Sequence, residues 1–269
     1  MKFTKILVPA LFGALMVAGC SKNCDKNAAQ GNGSDRLTLE SYEYDEVARL
    51  TEEFTIAEDN FPGRDLVSFT GYGVLPVASA DNASLKELRD SLIRLGAVKF
   101  DAEGKASAVL GDDVKAATVA DTVSPAGQRV SRLSISYANP RVIVWRGYSY
   151  AYIFGAAHGG STLTYVNYDV ADGKILSLPM LLNAGYEQKV IDLLREALKG
   201  RDDVFSEVEK IPDTWGITDS GIEFVWQEYE IGPYSSGQIK ATLYTWQLQE
   251  ENLLSDLGKK LLYFSPDIP

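Results

Sequence analysis

RLSISYANPRVIVWRGYSYAYIF, residues 132–154, decides the fold. Leu133, Ile135 and Tyr137 alternate with Ser134 and Ser136, the period-two pattern of a strand with one buried face. Asn139-Pro140 supplies a turn, and residues 141–154 then form a run rich in β-branched and aromatic side chains, expected to bend near Gly147. Two long strands joined by so short a turn must pair antiparallel.

The same grammar continues on the C-terminal side. After Gly155-Ala-Ala-His-Gly-Gly160, residues 162–170 read as a strand, and Asp172-Gly173 is a hairpin signal leading into residues 174–178. Val190, Leu193, Leu194, Ala197 and Leu198 mark an amphipathic helix that stops at Gly200. Residues 215–217 and 222–226 read as a second hairpin through Asp219-Ser220-Gly221. Residues 238–245 form the last strand, and a short helix follows near 253–257.

The N-terminal side is less regular. Leu37, Leu39, Tyr42 and Tyr44 suggest a strand with one wet face, in an acid-rich stretch over residues 35–59 that reads as a solvated surface. Residues 66–77 look like a strand broken at Gly71 and Gly73. Ser84 and Glu87 form a capping box ahead of Leu85, Leu88, Leu92 and Leu95, a helical stripe ended by Gly96. Residues 101–127 are small and polar and predict a long irregular seam between two halves. The expected class is α+β: a mainly antiparallel sheet with a few helices packed on one face, in two lobes of similar size, 35–127 and 128–269.

The first nineteen residues form a secretory signal: Lys2 and Lys5, an apolar run from residue 6 to 17, then Ala18 and Gly19. The run is too short to span a bilayer, which takes roughly twenty apolar residues. Val17-Ala18-Gly19-Cys20 fits a lipobox, so residues 1–19 are expected to be removed and Cys20 to carry the lipid that holds the protein on a membrane. Ser21, rather than an aspartate, points to the outer membrane. Residues 20–34, all small or polar beyond the cysteines, read as a flexible tether.

Loss of Lys2 and Lys5 takes the net charge from −11 to −13, which excludes nucleic acid as a partner and suits a cationic protein. Cys20 and Cys24 are the only cysteines, so the fold cannot rest on disulfides. With 45% hydrophobic residues, the chain has the material for a large core instead.

The blocks Gly155-Ala-Ala-His-Gly159, Tyr165-Val-Asn-Tyr-Asp169, Gly173-Lys174, Leu176, Gly221-Ile222, Phe224, Tyr229-Glu-Ile-Gly-Pro-Tyr234 and Gly237, in order across residues 130–254, resemble the RsiV-type extracytoplasmic domain family. This domain of unknown function is shared by the lysozyme-sensing anti-sigma factor RsiV and the peptidoglycan deacetylase PdaC; a companion domain is matched loosely by the N-terminal half. The resemblance implies an envelope location and a binding role toward a protein, lysozyme among them, or a peptidoglycan fragment. It implies no catalysis, since the deacetylase domain has no counterpart here.

His158 is the only histidine, too few for a zinc or copper site, and its small neighbours suit a tight bend in which the imidazole bonds to backbone. No G-x-S-x-G, S-x-x-K or C-x-x-C is present, and Gly71-Tyr-Gly73 lacks the rest of a dinucleotide loop. Asn167, Asp169 and Asp172 miss EF-hand spacing and belong to the hairpin. No metal, cofactor or catalytic residue is therefore expected. The surface candidates are Tyr229, Glu230 and Tyr234, flanking the Gly232-Pro233 turn, together with His158; the alternative reading packs the two tyrosine rings on the sheet with their hydroxyls bonded to backbone. The leading expectation is a non-enzymatic envelope lipoprotein; a cell-wall hydrolase or esterase using carboxylates or His158, and a structural assembly protein, are the alternatives.

Overall fold

Residues 132–154 form the centre of a seven-stranded sheet. The structure is a computed structural model and describes residues 37–50, 66–78, 82–110, 114–116 and 126–262; the signal, Cys20, Cys24 and the tether lie outside the described residues. In chain order the elements are β1 (Leu39–Leu50), β2 (Leu66–Pro76), α1 (Ala83–Leu95), β3 (Val98–Phe100), β4 (Ala106–Ala108), β5 (Val114–Ala116), β6 (Gly127–Ala138), β7 (Val142–Ile153), β8 (Gly160–Asp169) and β9 (Lys174–Ile175). There follow α2 (Leu178–Leu181), α3 (Glu187–Leu198), β10 (Thr214–Ile217), β11 (Gly221–Trp226), β12 (Ile239–Tyr244), α4 (Thr245–Glu250) and α5 (Asp256–Leu262).

The large sheet runs β5-β1-β2-β6-β7-β8-β9, and β10-β11-β12 make a separate three-stranded sheet. Pairing is antiparallel throughout the large sheet except between β2 and β6, which run parallel. A parallel pair needs a long crossover, and here α1 and the β3/β4 hairpin lie within it. The class is the α+β expected. The two halves, however, share one sheet, and the described residues form one compact unit with two cores.

Strand alternation separates those cores. On β7, Val142 and Val144 join the core built with α3, β11 and β12, whereas Trp145, fully buried, joins the core under α1 with Leu88, Leu92 and Leu133. The helices are thus divided between the cores, α1 in one and α3 in the other, instead of collecting on one face. Each has its own apolar stripe, and a stripe buries wherever a complementary sheet surface lies nearest in the topology.

Several local expectations change. Strand β2 is unbroken: Gly71 and Gly73 pair with Tyr44 and Tyr42 of β1, and a Cβ on Gly73 would come within 2.7 Å of the Tyr42 ring. The glycines therefore make a bed for two tyrosine rings lying across the strand. Pairing of β7 with both neighbours runs through Gly147 without a shift, and the irregularity sits instead in β6 between Ile135 and Tyr137. Gly147 leaves room for Leu95 of α1, whose Cγ would lie 2.7 Å from a Cβ there. The α1 N-cap is Asn82, whose Oδ1 accepts from Leu85 N at 3.0 Å, not Ser84; Gly96 is the C-cap as read. Two helices, α4 and α5, follow β12, and residues 253–257 span the link between them and the start of α5.

Candidate binding site

Hairpin chemistry sets the site's frame. The β8–β9 turn is capped by Asp169, whose Oδ1 accepts from Ala171 N and Asp172 N at 2.9 and 3.1 Å. Asn167, nearly fully buried, donates to Trp215 O at 3.2 Å and accepts from Ile217 N at 2.8 Å, stitching β10 of the small sheet to β8. These bonds use the side chains of Asn167 and Asp169, and Asp172 Oδ2 accepts from Lys174 Nζ at 2.8 Å; among the described residues no group of three or more His, Cys, Asp or Glu is placed to hold a metal ion.

Beyond residue 226 the chain folds back over the outer edge of β8. Gln227 donates to Leu163 O at 2.8 Å and accepts from Leu163 N at 3.0 Å, so its amide stands in for a neighbouring strand. Glu228 accepts from Ser161 N at 3.1 Å and from the Ser161 hydroxyl, which also receives Gln238 Nε2 at 2.6 Å. Glu230 N donates to Gln227 O, and Glu230 Oε2 accepts from Gln227 N at 2.8 Å, closing the turn. Glu230 is thereby tied to its own loop, away from the aromatic group described next.

That turn holds Tyr229 at φ 69°, a left-handed conformation costing a non-glycine residue of order 1 kcal/mol. It aims the ring at the loop between β7 and β8. The Tyr229 hydroxyl lies 2.8 Å from His158 Nε2, and His158 Nδ1 lies 2.8 Å from Gly159 O. A carbonyl can only accept, so Nδ1 carries a proton and donates to it, while Nε2 and the Tyr229 hydroxyl share the second bond. Tyr234 stacks on the imidazole with ring centroids 3.7 Å apart, and the two tyrosines are 5.9 Å apart in the same sense. Gly232 permits this path because a Cβ there would run into Asp203 O.

The structure thus brings His158, Tyr229 and Tyr234 together and leaves Glu230 aside. His158 and Tyr229 are exposed, the latter by 64%. Desolvation, then Glu228, Tyr150, Tyr229 and Tyr148, push the Tyr234 hydroxyl above its ordinary value, so it stays a neutral donor. Both imidazole nitrogens have neutral partners, and the Ser161 hydroxyl is engaged by Glu228 and Gln238 rather than by His158. What this arrangement offers is stacking surface and hydrogen bonds.

Sequence reasoning passed over Tyr148 and Tyr150 on β7, both close enough to Tyr234 to act on its hydroxyl. It also passed over Arg132 on β6, whose guanidinium lies over Tyr72 at 5.6 Å and Tyr148 at 5.8 Å. Their two-residue spacing in the opening stretch places Tyr148 and Tyr150 on one sheet face, which was a usable signal.

Residues 180–244, from α2 through β12, match a family described as a protein of unknown function, DUF3298. No curated protein matches the chain. Among solved structures, a DUF3298 family member from Bacteroides fragilis NCTC 9343 is similar at a TM-score of 0.59 and 15% identity, over 82% of this chain and 94% of that one. A DUF3298 family protein from Pseudomonas aeruginosa PAO1 is similar at 0.55 and 16%, over 83% and 96%. At these identities the likeness is one of fold: this chain has the α+β architecture of DUF3298 proteins across nearly the whole length of each.

Proposed function

We propose that this protein is a lipid-anchored envelope protein whose folded domain binds a protein or a cell-wall-derived ligand without transforming it. The observation that carries the binding role is the exposed His158–Tyr229–Tyr234 stack, held together by a backbone-strained tyrosine and a histidine whose two nitrogens are already satisfied. Aromatic rings with polar tips supply contact area at low entropic cost, and strain kept at an exposed position is more readily understood as presentation of a side chain than as packing. The acidic net charge favours a cationic protein, and the RsiV-type resemblance of residues 130–254 makes lysozyme the first to try. The anchor is read from Val17-Ala18-Gly19-Cys20.

Calorimetric titration of the detergent-solubilised full chain at low salt, with lysozyme and with solubilised peptidoglycan fragments, tests the binding role. Saturable heat with either, weakened at least tenfold in a His158→Ala/Tyr229→Ala variant that keeps its circular dichroism, is the expected result. No heat with either ligand overturns it, as does release of peptidoglycan products by the wild type that the His158→Ala variant no longer gives. Mass spectrometry of the native protein is expected to find a diacylglyceryl adduct on Cys20; an intact Met1 without lipid refutes the anchor.

A further inference from the structure

The open face of the large sheet carries a cross-strand row in register: Glu43 on β1 opposite Tyr72 on β2, Tyr72 opposite Arg132 on β6, and Arg132 opposite Tyr148 on β7. Directly paired residues point to the same side of a sheet, so these four side chains share one face at about 4.8 Å per strand. Beside them the next row brings Asp45, Thr70 and Val130 to Tyr150, and Tyr150 leads on to Tyr234 and the His158 stack. Glu43, Asp45, Thr70 and Arg132 are exposed, and Tyr72 is 48% exposed, an uncommon situation for a large ring in a sheet interior.

Arg132 is the informative member. Its guanidinium is sandwiched between the Tyr72 and Tyr148 rings and makes no hydrogen bond or ion pair with any described residue. Its N–H donors are thus unused by any described residue, and a guanidinium fork in that state is suited to a carboxylate. The nearest acid in the row, Glu43, is two strands away, about 10 Å, and cannot fill that role.

From this arrangement we infer that the exposed face of β1, β2, β6 and β7 is a platform for a saccharide chain bearing carboxylates, with Arg132 pairing a carboxylate while Tyr72, Tyr148 and Tyr150 stack against sugar rings. The inference rests on the reading of the domain as a binding module. A saccharide fits for three reasons. The row of side chains runs across four neighbouring strands, a length that suits an extended polymer. Tyrosine faces accept the C–H faces of pyranose rings while their hydroxyls bond to the ring substituents. Glu43 and Asp45 at one border and Glu228 at the other accept from sugar hydroxyls or amides, whereas they would repel a polyanion carrying a charge at every unit.

The test is calorimetry on the full chain in detergent with two defined probes of equal length: the alternating N-acetylglucosamine/N-acetylmuramic acid tetrasaccharide, which carries carboxylates, and tetra-N-acetylchitotetraose, which is neutral. A charge-assisted hydrogen-bonded pair at Arg132 is expected to make the acidic probe bind about tenfold tighter. Arg132→Gln is expected to bring the two affinities together, and Arg132→Lys to restore only part of the preference, since lysine lacks the planar fork. Tyr72→Ala is expected to weaken both probes alike. Equal affinities in the wild type, or a preference that survives Arg132→Gln in a folded variant, overturn the inference. Binding of lysozyme with neither saccharide bound overturns the platform while leaving the binding module standing. Absence of binding to lysozyme and to both saccharides removes both.

Discussion

Tyr42 is inside the core beneath α1, and its hydroxyl is buried without a hydrogen-bond partner. The ring is well held, stacked with Tyr44 at 6.4 Å and edge-on to Phe100 at 5.9 Å, with Gly73 beneath it and Gly96 against the hydroxyl. Tyr42→Phe keeps every ring contact and removes only the oxygen. A buried hydroxyl with no partner costs about 1–3 kcal/mol of desolvation, whereas the void left by one oxygen costs only about a few tenths of a kcal/mol in total. The variant should therefore be more stable than the wild type by about 1 kcal/mol, which for a chain of this size raises the Tm by about 2–4 °C. Urea unfolding followed by tryptophan fluorescence measures it: the midpoint should move up with the slope unchanged. A midpoint that falls by the equivalent of 1 kcal/mol would show that the hydroxyl is satisfied in solution, and that its burial in this core is no burden.

The tyrosine bed makes the opposite prediction next door. Gly71→Ala would drive a methyl group into the Tyr44 ring and should destabilise by about 1–3 kcal/mol, read by the same urea titration, while Gly104→Ala, where no atom is within 4 Å, is limited to the strain of its φ of 82°. Asn167→Ala strips the buried Ile217 N–H and the Trp215 carbonyl of their partner and should cost about 2–3 kcal/mol, with amide exchange rising first in β10. Burial pushes the hydroxyls of Tyr42, Tyr44, Tyr165 and Tyr168 above their ordinary value. Because the folded pKa exceeds the unfolded one, their contribution is intact below about pH 10 and lost as pH rises through the folded values. Absorbance at 295 nm should show these tyrosines ionising only with cooperative unfolding; ionisation of all fourteen in one step near pH 10 in a folded chain refutes the burial.

The hairpins were legible because their determinants are local. Asp172-Gly173 joins β8 to β9, with Gly173 at φ 63°, and the Thr218–Gly221 turn joins β10 to β11, as their composition requires. Pairing of β2 with β6 was not legible, since some fifty residues separate the strands and nothing short-range sets their parallel register. The glycines of β2 were misread for a related reason. Gly71 and Gly73 weaken a strand considered alone, and only beside Tyr44 and Tyr42, at the same two-residue spacing on β1, do they become a fitted surface. Complementary Tyr-x-Tyr and Gly-x-Gly spacings in two candidate strands were the signal that would have paired them.

The candidate site shows a deeper limit. His158 and Tyr229 stand seventy-one residues apart in the chain, and their hydrogen bond depends on Gln227 and Glu228 holding the loop on the edge of β8. Net charge pointed toward the acids, yet the group on the open face that finds no counterpart among the described residues is a cation, Arg132. A summed charge governs how a partner is steered from a distance, and it averages away a position such as Arg132, whose guanidinium has no hydrogen-bond or ion-pair partner among the described residues. On an acidic protein such a position carries more information than the acids around it: any ligand that settles there must satisfy the arginine while tolerating Glu43, Asp45 and Glu228 within reach, so its own negative charges must be few and spaced.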